Sequence, residues 1–237
     1  MSPPDRLIAA ELRASLGESV IGRRIIVLES TRSTNDFLLQ MLTPELPEGF
    51  VVFAEHQTAG RGQRGQRWES APHLGLWFSV LLRPRIPLAE SARLTTWAAQ
   101  AVVAAIQNEI GLEAIIKPPN DVFLANRKVA GVLIETKAGL GDSFAAIAGL
   151  GININQTPED FPVELRERAG SLAMFLERKI GRAEFAIALL RELERTYSVA
   201  LGFSSSASPS SRLSSRAGEA RRGTSQLQST PSPNERA

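Results

Sequence analysis

Eight residues, Gly75-Leu76-Trp77-Phe78-Ser79-Val80-Leu81-Leu82, are apolar almost without interruption. A strand with one wet face alternates polar and apolar side chains, so this run belongs in the middle of a sheet covered on both faces. Val51-Val52-Phe53-Ala54 reads as a second buried strand, and Arg24 to Glu29 has the β-branched enrichment of a third. From Leu88 to Ile110, Leu94, Trp97, Ala98, Ala101, Val102 and Ala105 recur at helical spacing up to a stop at Gly111. That helix is expected to cover one face of the sheet, with its aromatic and apolar stripe as core. Asp5 to Leu16 reads as a short amphipathic helix on Leu7, Ile8, Leu12 and Leu16, and Ser33 with Asp36 resembles the capping box of another. A strand at 114–117 ends in Pro118-Pro119-Asn120-Asp121, a hairpin follows from Val122 to Glu135, and Phe144 to Asn155 reads as a further strand. Helices close the core at Ser171 to Lys179 and Arg182 to Leu201, the latter with Ala186, Leu189, Leu190, Leu193 and Tyr197 on one face.

Composition narrows the chemistry. The chain of 237 residues has no cysteine and two histidines, His56 and His73. Disulfides, thiolate metal sites and a cysteine acyl-enzyme are excluded, a multi-histidine metal cluster nearly so, and the usage fits a cytoplasmic enzyme. No apolar run approaches the length of a membrane-spanning helix. From Phe203 onward lie five of the 27 basic and two of the 25 acidic residues, so residues 1–202 carry a formal balance of −1 and the remainder +3. The body of the chain is therefore not a generally basic nucleic-acid binder. The Ser-, Pro- and Arg-rich stretch 203–237 is expected to be disordered.

Between the two buried strands lies Gly60-Arg61-Gly62-Gln63-Arg64-Gly65-Gln66-Arg67-Trp68, longer and more polar than a reversal of direction requires. Glycines at 60, 62 and 65 permit positive φ and close approach, and arginines at 61, 64 and 67 bring planar donors suited to carboxylate or phosphate. The segment reads either as a solvated loop or as a flexible flap that orders over an anion. Ser33, Thr34 and Asn35 read either as caps of a helix start or as a polar cradle for a small ligand. By period-two counting Lys128 leads an apolar face with Ala130, Val132 and Ile134, and either leaves the strand end for water or points into a pocket beside Asp121. Gly149 and Gly151, on one face of a strand, mark close approach of a ligand or another backbone.

Four stretches in this order resemble the catalytic domain of biotin–protein ligases: Ser33-Thr34-Asn35; Glu55 through Trp68; Lys117 to Asp121 with Arg127 to Glu135; and Gly149-Leu150-Gly151-Ile152-Asn153. The likeness covers roughly residues 20–200. It implies an α+β fold, a mixed β-sheet packed with helices of the class II aminoacyl-tRNA synthetase kind, in a catalytic domain at 1–202. It implies a ligase that joins biotin to ATP as biotinyl-5′-AMP and passes biotin to a lysine of the biotin carboxyl carrier protein or domain of a carboxylase such as acetyl-CoA carboxylase. By the same resemblance Ser33, Thr34, Asn35, Gln57, Arg61, Gly62, Gln63, Lys128 and Gly131 match biotin-binding positions. Arg61, Arg64, Trp68, Lys117, Asn120, Asp121 and Asn153 match ATP or adenylate positions, and Arg61, Lys128 and Asp121 the catalytic ones. Mg²⁺ is expected on the ATP phosphates, with Asp121 the one candidate protein ligand.

The sequence departs from the family pattern at Pro118, where a tryptophan is usual, and at Gln63, where an arginine is common. Residues 203–237 stand where most members carry a small β-barrel domain. Without an N-terminal DNA-binding unit, no DNA partner is expected; no membrane partner is expected either, and the chain reads as a monomer or homodimer. The alternatives are lipoate–protein ligase activity on the same fold, an RNA-binding protein using the Arg-Gly loop, or a biotin binder with little turnover.

Overall fold

The computed structural model describes residues 5–139 and 143–201. The strands are β1 (Arg24–Leu28), β2 (Phe50–Ala54), β3 (Gly75–Leu82), β4 (Ile115–Lys117), β5 (Asp121–Leu124), β6 (Arg127–Ala138) and β7 (Phe144–Asn153). They form one seven-stranded sheet in the order β1-β2-β3-β7-β6-β5-β4, parallel only between β1 and β2. This is the expected mixed sheet of an α+β fold. Every residue of β3 is buried, as its composition requires. The segment expected to be disordered, 203–237, lies outside the described residues.

The two faces of the sheet are covered differently. Helices α1 (Ala9–Leu16), α3 (Ala92–Ile110) and α5 (Arg182–Leu201) share one large core with Leu76, Phe78, Val80 and Leu82 of β3. Trp97 belongs to that core, 2 % exposed, with its ring 5.2 Å from Tyr197. The opposite face carries α2 (Thr34–Met41), whose Leu38 packs with Phe50, Val52, Leu81 and Ile147. Because α2 is only eight residues long, the part of that face beyond it is left for something else. A short helix, α4 (Leu172–Leu176), precedes α5. No helix among the described residues is long and apolar enough to cross a membrane.

Two helix starts differ from their sequence reading. The first helix begins at Ala9, not Asp5, and Ile8 is exposed. The preceding residues have other partners: the Leu7 amide donates to Glu55 Oε1 at 2.9 Å, and Asp5 accepts from Arg182 through its backbone carbonyl and its carboxylate. At α2, Ser33 caps as expected, its hydroxyl accepting from the Asp36 amide at 3.4 Å. The Asp36 carboxylate does not close the box. It reaches across to Arg61 at 2.5 Å.

Arg182 and Glu55 make a wholly buried ion pair at 2.7 Å, tying the start of α5 to the end of β2. Arg182 also donates to the Gly75 carbonyl at 3.1 Å. Burial pushes the Glu55 carboxyl up, but the Arg182 hydrogen bond, the Leu7 amide, the Arg182 charge and His73 together hold it below its ordinary value. A lowered native value means the pair's contribution is present above the ordinary carboxylate range and is lost as pH falls through the native value. Glu55→Gln leaves the guanidinium buried without its main counter-charge, at an expected cost of about 3 kcal/mol at neutral pH. Thermal unfolding from pH 7 to pH 3 checks this: the gap between wild type and Glu55→Gln should be widest near neutrality and close on acidification. A gap independent of pH is the contrary result.

Candidate active site

The face of the sheet beyond α2 is unusually bare. Gly149 and Gly151 of β7 lie opposite Ser79 and Trp77 of β3, and Gly131 of β6 lies opposite Gly151. A Cβ on Gly149 would stand 2.2 Å from Asn35 Oδ1, and one on Gly151 would stand 2.5 Å from the Trp68 ring. One on Gly131 would meet the same indole at 2.9 Å. The expected close approach is real, but the approaching groups are two side chains of the chain itself. Together they enclose a cavity of about 350 Å³.

The loop over this cavity is a small closed hairpin. Arg61 and Arg67 pair as an antiparallel bridge, the Trp68 amide donates to the Gly60 carbonyl at 2.9 Å, and the Gly62 amide to the Gln66 carbonyl at 2.7 Å. Arg64 and Gly65 turn the chain with φ of 57° and 75°. Of the three glycines that permit positive φ, only Gly65 adopts it; Gly60 is small because a Cβ would stand 2.6 Å from the Trp68 carbonyl. Trp68 anchors the hairpin on the glycine floor, 6.1 Å edge-on to Trp77, while Arg64, Gln66 and Arg67 are exposed.

Beneath the loop lies a polar cradle. Gln57 Oε1 accepts from the Thr34 amide at 2.8 Å, satisfying a donor that a helix start leaves orphaned, and Gln57 Nε2 donates to Ser70 at 3.2 Å. Ser79, wholly buried, hydrogen-bonds Asn35 Oδ1 at 2.6 Å and Thr34 Oγ1 at 2.7 Å. Its single proton serves one of the two at a time, so Thr34 supplies or shares the other. Asn35 Nδ2 donates to Glu135 at 2.8 Å. Ser33 thus caps the helix, and Ser33, Thr34 and Asn35 all form cavity wall.

Lys128 does not lead the Ala130-Val132-Ile134 face. The β5–β6 register slips between Val122 and Phe123: Val122 pairs with Ala130, while Phe123 pairs with Lys128 and leaves Val129 unopposed. One extra residue inverts the alternation. Lys128 therefore shares the face of Gly131, with its ammonium 2.7 Å from Asp121 Oδ1 and 5.3 Å from the Trp68 ring centre. The bulge is gripped from outside: the Lys128 amide donates to the Arg168 carbonyl at 2.7 Å and its carbonyl accepts from the Gly170 amide at 3.0 Å. No periodicity rule shows such a slip in advance, because it depends on this segment at 168–170.

The cavity wall brings together Ser33, Thr34, Asn35, Gln57, Arg61, Gly62, Gln63, Arg64, Trp68, Asn120, Asp121, Lys128 and Gly131 from the sequence reading. Lys117 and Asn153 do not reach it. Lys117 is exposed on β4 with its ammonium over the Phe123 ring, 4.0 Å from the centre. Asn153 is buried behind the bulge, donating to the Gly170 carbonyl at 2.9 Å and so bracing the segment that grips Lys128. Asn120 donates to the Val132 carbonyl at 2.9 Å, clipping the proline turn, with its cis Pro118–Pro119 peptide, onto β6. Sequence reasoning missed Ser79 and Glu135. Ser79 was visible as the one hydroxyl in an otherwise apolar central strand, and Glu135 as the residue two steps beyond Leu133 on the Gly131 face.

Residues 27–153, just over half of the chain, match the model of the biotin/lipoate A/B protein ligase family. Over 194 residues the chain is 38 % identical to the bifunctional ligase/repressor BirA of Bacillus subtilis, a match spanning 82 % of this chain and 60 % of that protein. It is 33 % identical over 204 residues to the biotin–[acetyl-CoA-carboxylase] ligase of Mycobacterium tuberculosis, covering 82 % of this chain and 73 % of that one. Among solved structures, biotin protein ligase from Aquifex aeolicus in complex with biotin and ATP superposes with a TM-score of 0.64 at 29 % identity, over 75 % of this chain and 72 % of that chain.

The glycine floor makes a direct prediction. Gly151→Ala should expel the indole of Trp68 while leaving the fold intact, because the obstructing group is a side chain on a surface loop. Acrylamide quenching of tryptophan fluorescence should rise, since Trp77 and Trp97 stay buried. The rise should vanish when Trp68→Phe is added. Unchanged quenching would mean that the indole does not occupy this slot.

Proposed function

Since this chain belongs to the biotin/lipoate A/B protein ligase family, we propose that it activates biotin as biotinyl-5′-AMP at the expense of ATP, in the cytoplasm, and transfers biotin to a lysine of a biotin carboxyl carrier protein. The observation that carries this reading is the cavity itself. A polar amide-and-hydroxyl cradle of Ser33, Thr34, Asn35 and Gln57 shares the cavity with two cations, Arg61 and Lys128, in a wall that also carries Arg64, Arg67, Asn120 and Asp121 beside the apolar Trp68, Phe78, Val132 and Leu150. Such a site suits a small ligand with a polar head and a carboxylate that must meet a second anion.

In the first step an oxygen of the biotin carboxylate attacks the α-phosphorus of ATP, forming the mixed anhydride as pyrophosphate leaves. In the second, the carrier lysine's uncharged amine attacks the acyl carbon and AMP departs with the bonding pair. Two anions must meet, so fixed positive charge is the main requirement on the protein. Lys128, re-aimed by the bulge, and Arg61, carried by the hairpin, supply it, each charge-assisted contact contributing about 1.5–3 kcal/mol. The cradle of Ser33, Thr34, Asn35 and Gln57 would hold the ureido end, and Trp68 with Asn120 and Asp121 the nucleotide end. The hairpin excludes water from the anhydride.

Magnesium fits as a passenger of ATP. Among the described residues no group of three or more His, Cys, Asp or Glu could hold a metal, and Asp121, the one carboxylate among the residues lining the cavity and held by Lys128 at 2.7 Å, would supply the single protein ligand such an ion needs. When bound it would offset phosphate charge.

Biotin-dependent exchange of labelled pyrophosphate into ATP tests the proposal, with lipoate in parallel. Exchange with biotin alone is expected. Arg61→Ala should stay folded and lose exchange by about 100-fold or more. Exchange with lipoate instead, or full activity in Arg61→Ala, counts against the reading or against the role of Arg61 respectively.

A further inference from the structure

Behind the cavity wall lies a carboxylate that does not line it. Glu135 Oε2 accepts two hydrogen bonds, from Asn35 Nδ2 at 2.8 Å and from Arg61 Nη2 at 2.8 Å. The same Arg61 nitrogen also donates to Asp36 Oδ1 at 2.5 Å. One oxygen therefore joins the polar cradle to the cationic loop, reaching back 74 residues to Arg61 and 100 to Asn35.

We propose that Glu135 is a positioning residue for both ends of the site. The inference rests on the reading of the cavity as the place where biotin and ATP meet. Its first effect is on Asn35. A carboxamide can sit in either of two flipped orientations, and Ser79, able to donate or accept, tolerates both. An ionised carboxylate only accepts, so Glu135 admits only the orientation with Nδ2 towards it. That choice turns Oδ1 towards Ser79, and through Ser79 it sets the hydroxyl of Thr34.

The second effect is on Arg61. Both hydrogens of Nη2 are committed to Asp36 and Glu135, while the guanidinium carries five N–H donors. The remaining three, on Nη1 and Nε, have no hydrogen-bond partner among the described residues and are available to an anion. Two acceptors on one nitrogen fix the plane of the fork without exhausting it. Either carboxylate alone leaves the group free to rotate about a single contact. Glu135 thus holds the arginine as a pre-aimed donor and also sets the flip of the cradle amide.

Two readouts test this, one of which needs no activity. Trypsin cleaves after Arg61 only when its side chain is free to enter the protease, whereas Arg64, in the same hairpin and exposed, serves as the internal reference. The ratio of cleavage after Arg61 to cleavage after Arg64 should rise about tenfold in Glu135→Ala. It should rise only about threefold in Glu135→Gln, whose amide oxygen still accepts but carries no charge. In pyrophosphate exchange, Glu135→Ala should raise the biotin KM about tenfold and lower kcat. Glu135→Gln should keep the biotin KM within about threefold and lower kcat alone, because it retains the acceptor for Asn35 and, without the charge, weakens the hold on Arg61. A role confined to stability would move neither the cleavage ratio nor this split between the two variants. An unchanged cleavage ratio in Glu135→Ala overturns the proposal, as do wild-type kinetics in that variant. If wild-type protein shows no exchange with biotin, the reading of the reaction fails, and the cleavage ratio alone decides the role of Glu135.

Discussion

A sheet whose central strands are uniformly apolar has nowhere to place a polar site unless side chains are removed from one face. Gly131, Gly149 and Gly151 remove them. Their missing Cβ atoms let Asn35 descend to the sheet from α2 and Trp68 descend from the loop, so a helix end and a hairpin meet over the same patch. The remaining polar contacts depend on that patch. Ser79 would be an unsatisfied hydroxyl in a core strand if Asn35 and Thr34 could not reach it, a loss of order 1–3 kcal/mol. Glycine in a strand interior is costly in chain entropy, and here that cost sustains the cavity.

The bulge in β6 adds the second requirement. Polar residues at the edge of a sheet are easily placed, but a lysine that must share a face with glycine three positions later contradicts the period of a strand. The extra residue at Val129 resolves the contradiction, and the backbone bonds from Lys128 to Arg168 and Gly170 keep it resolved. Asn153 and Arg127 hold that outer segment in turn, Asn153 through the Gly170 carbonyl and Arg127 through the Arg166 carbonyl at 2.6 Å. The orientation of one ammonium thus rests on residues about forty positions further along the chain.

Much of this was legible in the sequence where a single period governs the residues. The buried β3, the stripe of α3 and the face of α5 are read directly from apolar spacing, and the cap at Ser33 from local chemistry. The sites of failure share a cause: each is decided by a partner distant in sequence. The first helix starts late because Leu7 and Asp5 bond to Glu55 and Arg182. The box at Asp36 stays open because Arg61 competes for the carboxylate. Lys128 changes face because of a register slip, and Glu135 gains its role only once Asn35 and Arg61 are both folded over it. Motif resemblance gathered nearly all the cavity wall, and the two residues it matched to the nucleotide that stand outside that wall are Lys117 and Asn153, since a motif records neighbours in sequence and not which of them brace from behind.

The hairpin at 60–68 is closed by its own backbone bonds and pinned by Trp68 and Arg61, all through contacts within the chain. Ordering a residue's backbone costs roughly 1–2 kcal/mol. A loop that took shape only on its ligand would subtract several such terms from the binding free energy, weakening affinity by orders of magnitude. Here the folding of the chain has already absorbed that loss. Because Trp68 and Arg61 both pin the loop and line the cavity, loop order and affinity are set by the same two side chains, and a substitution at either alters both.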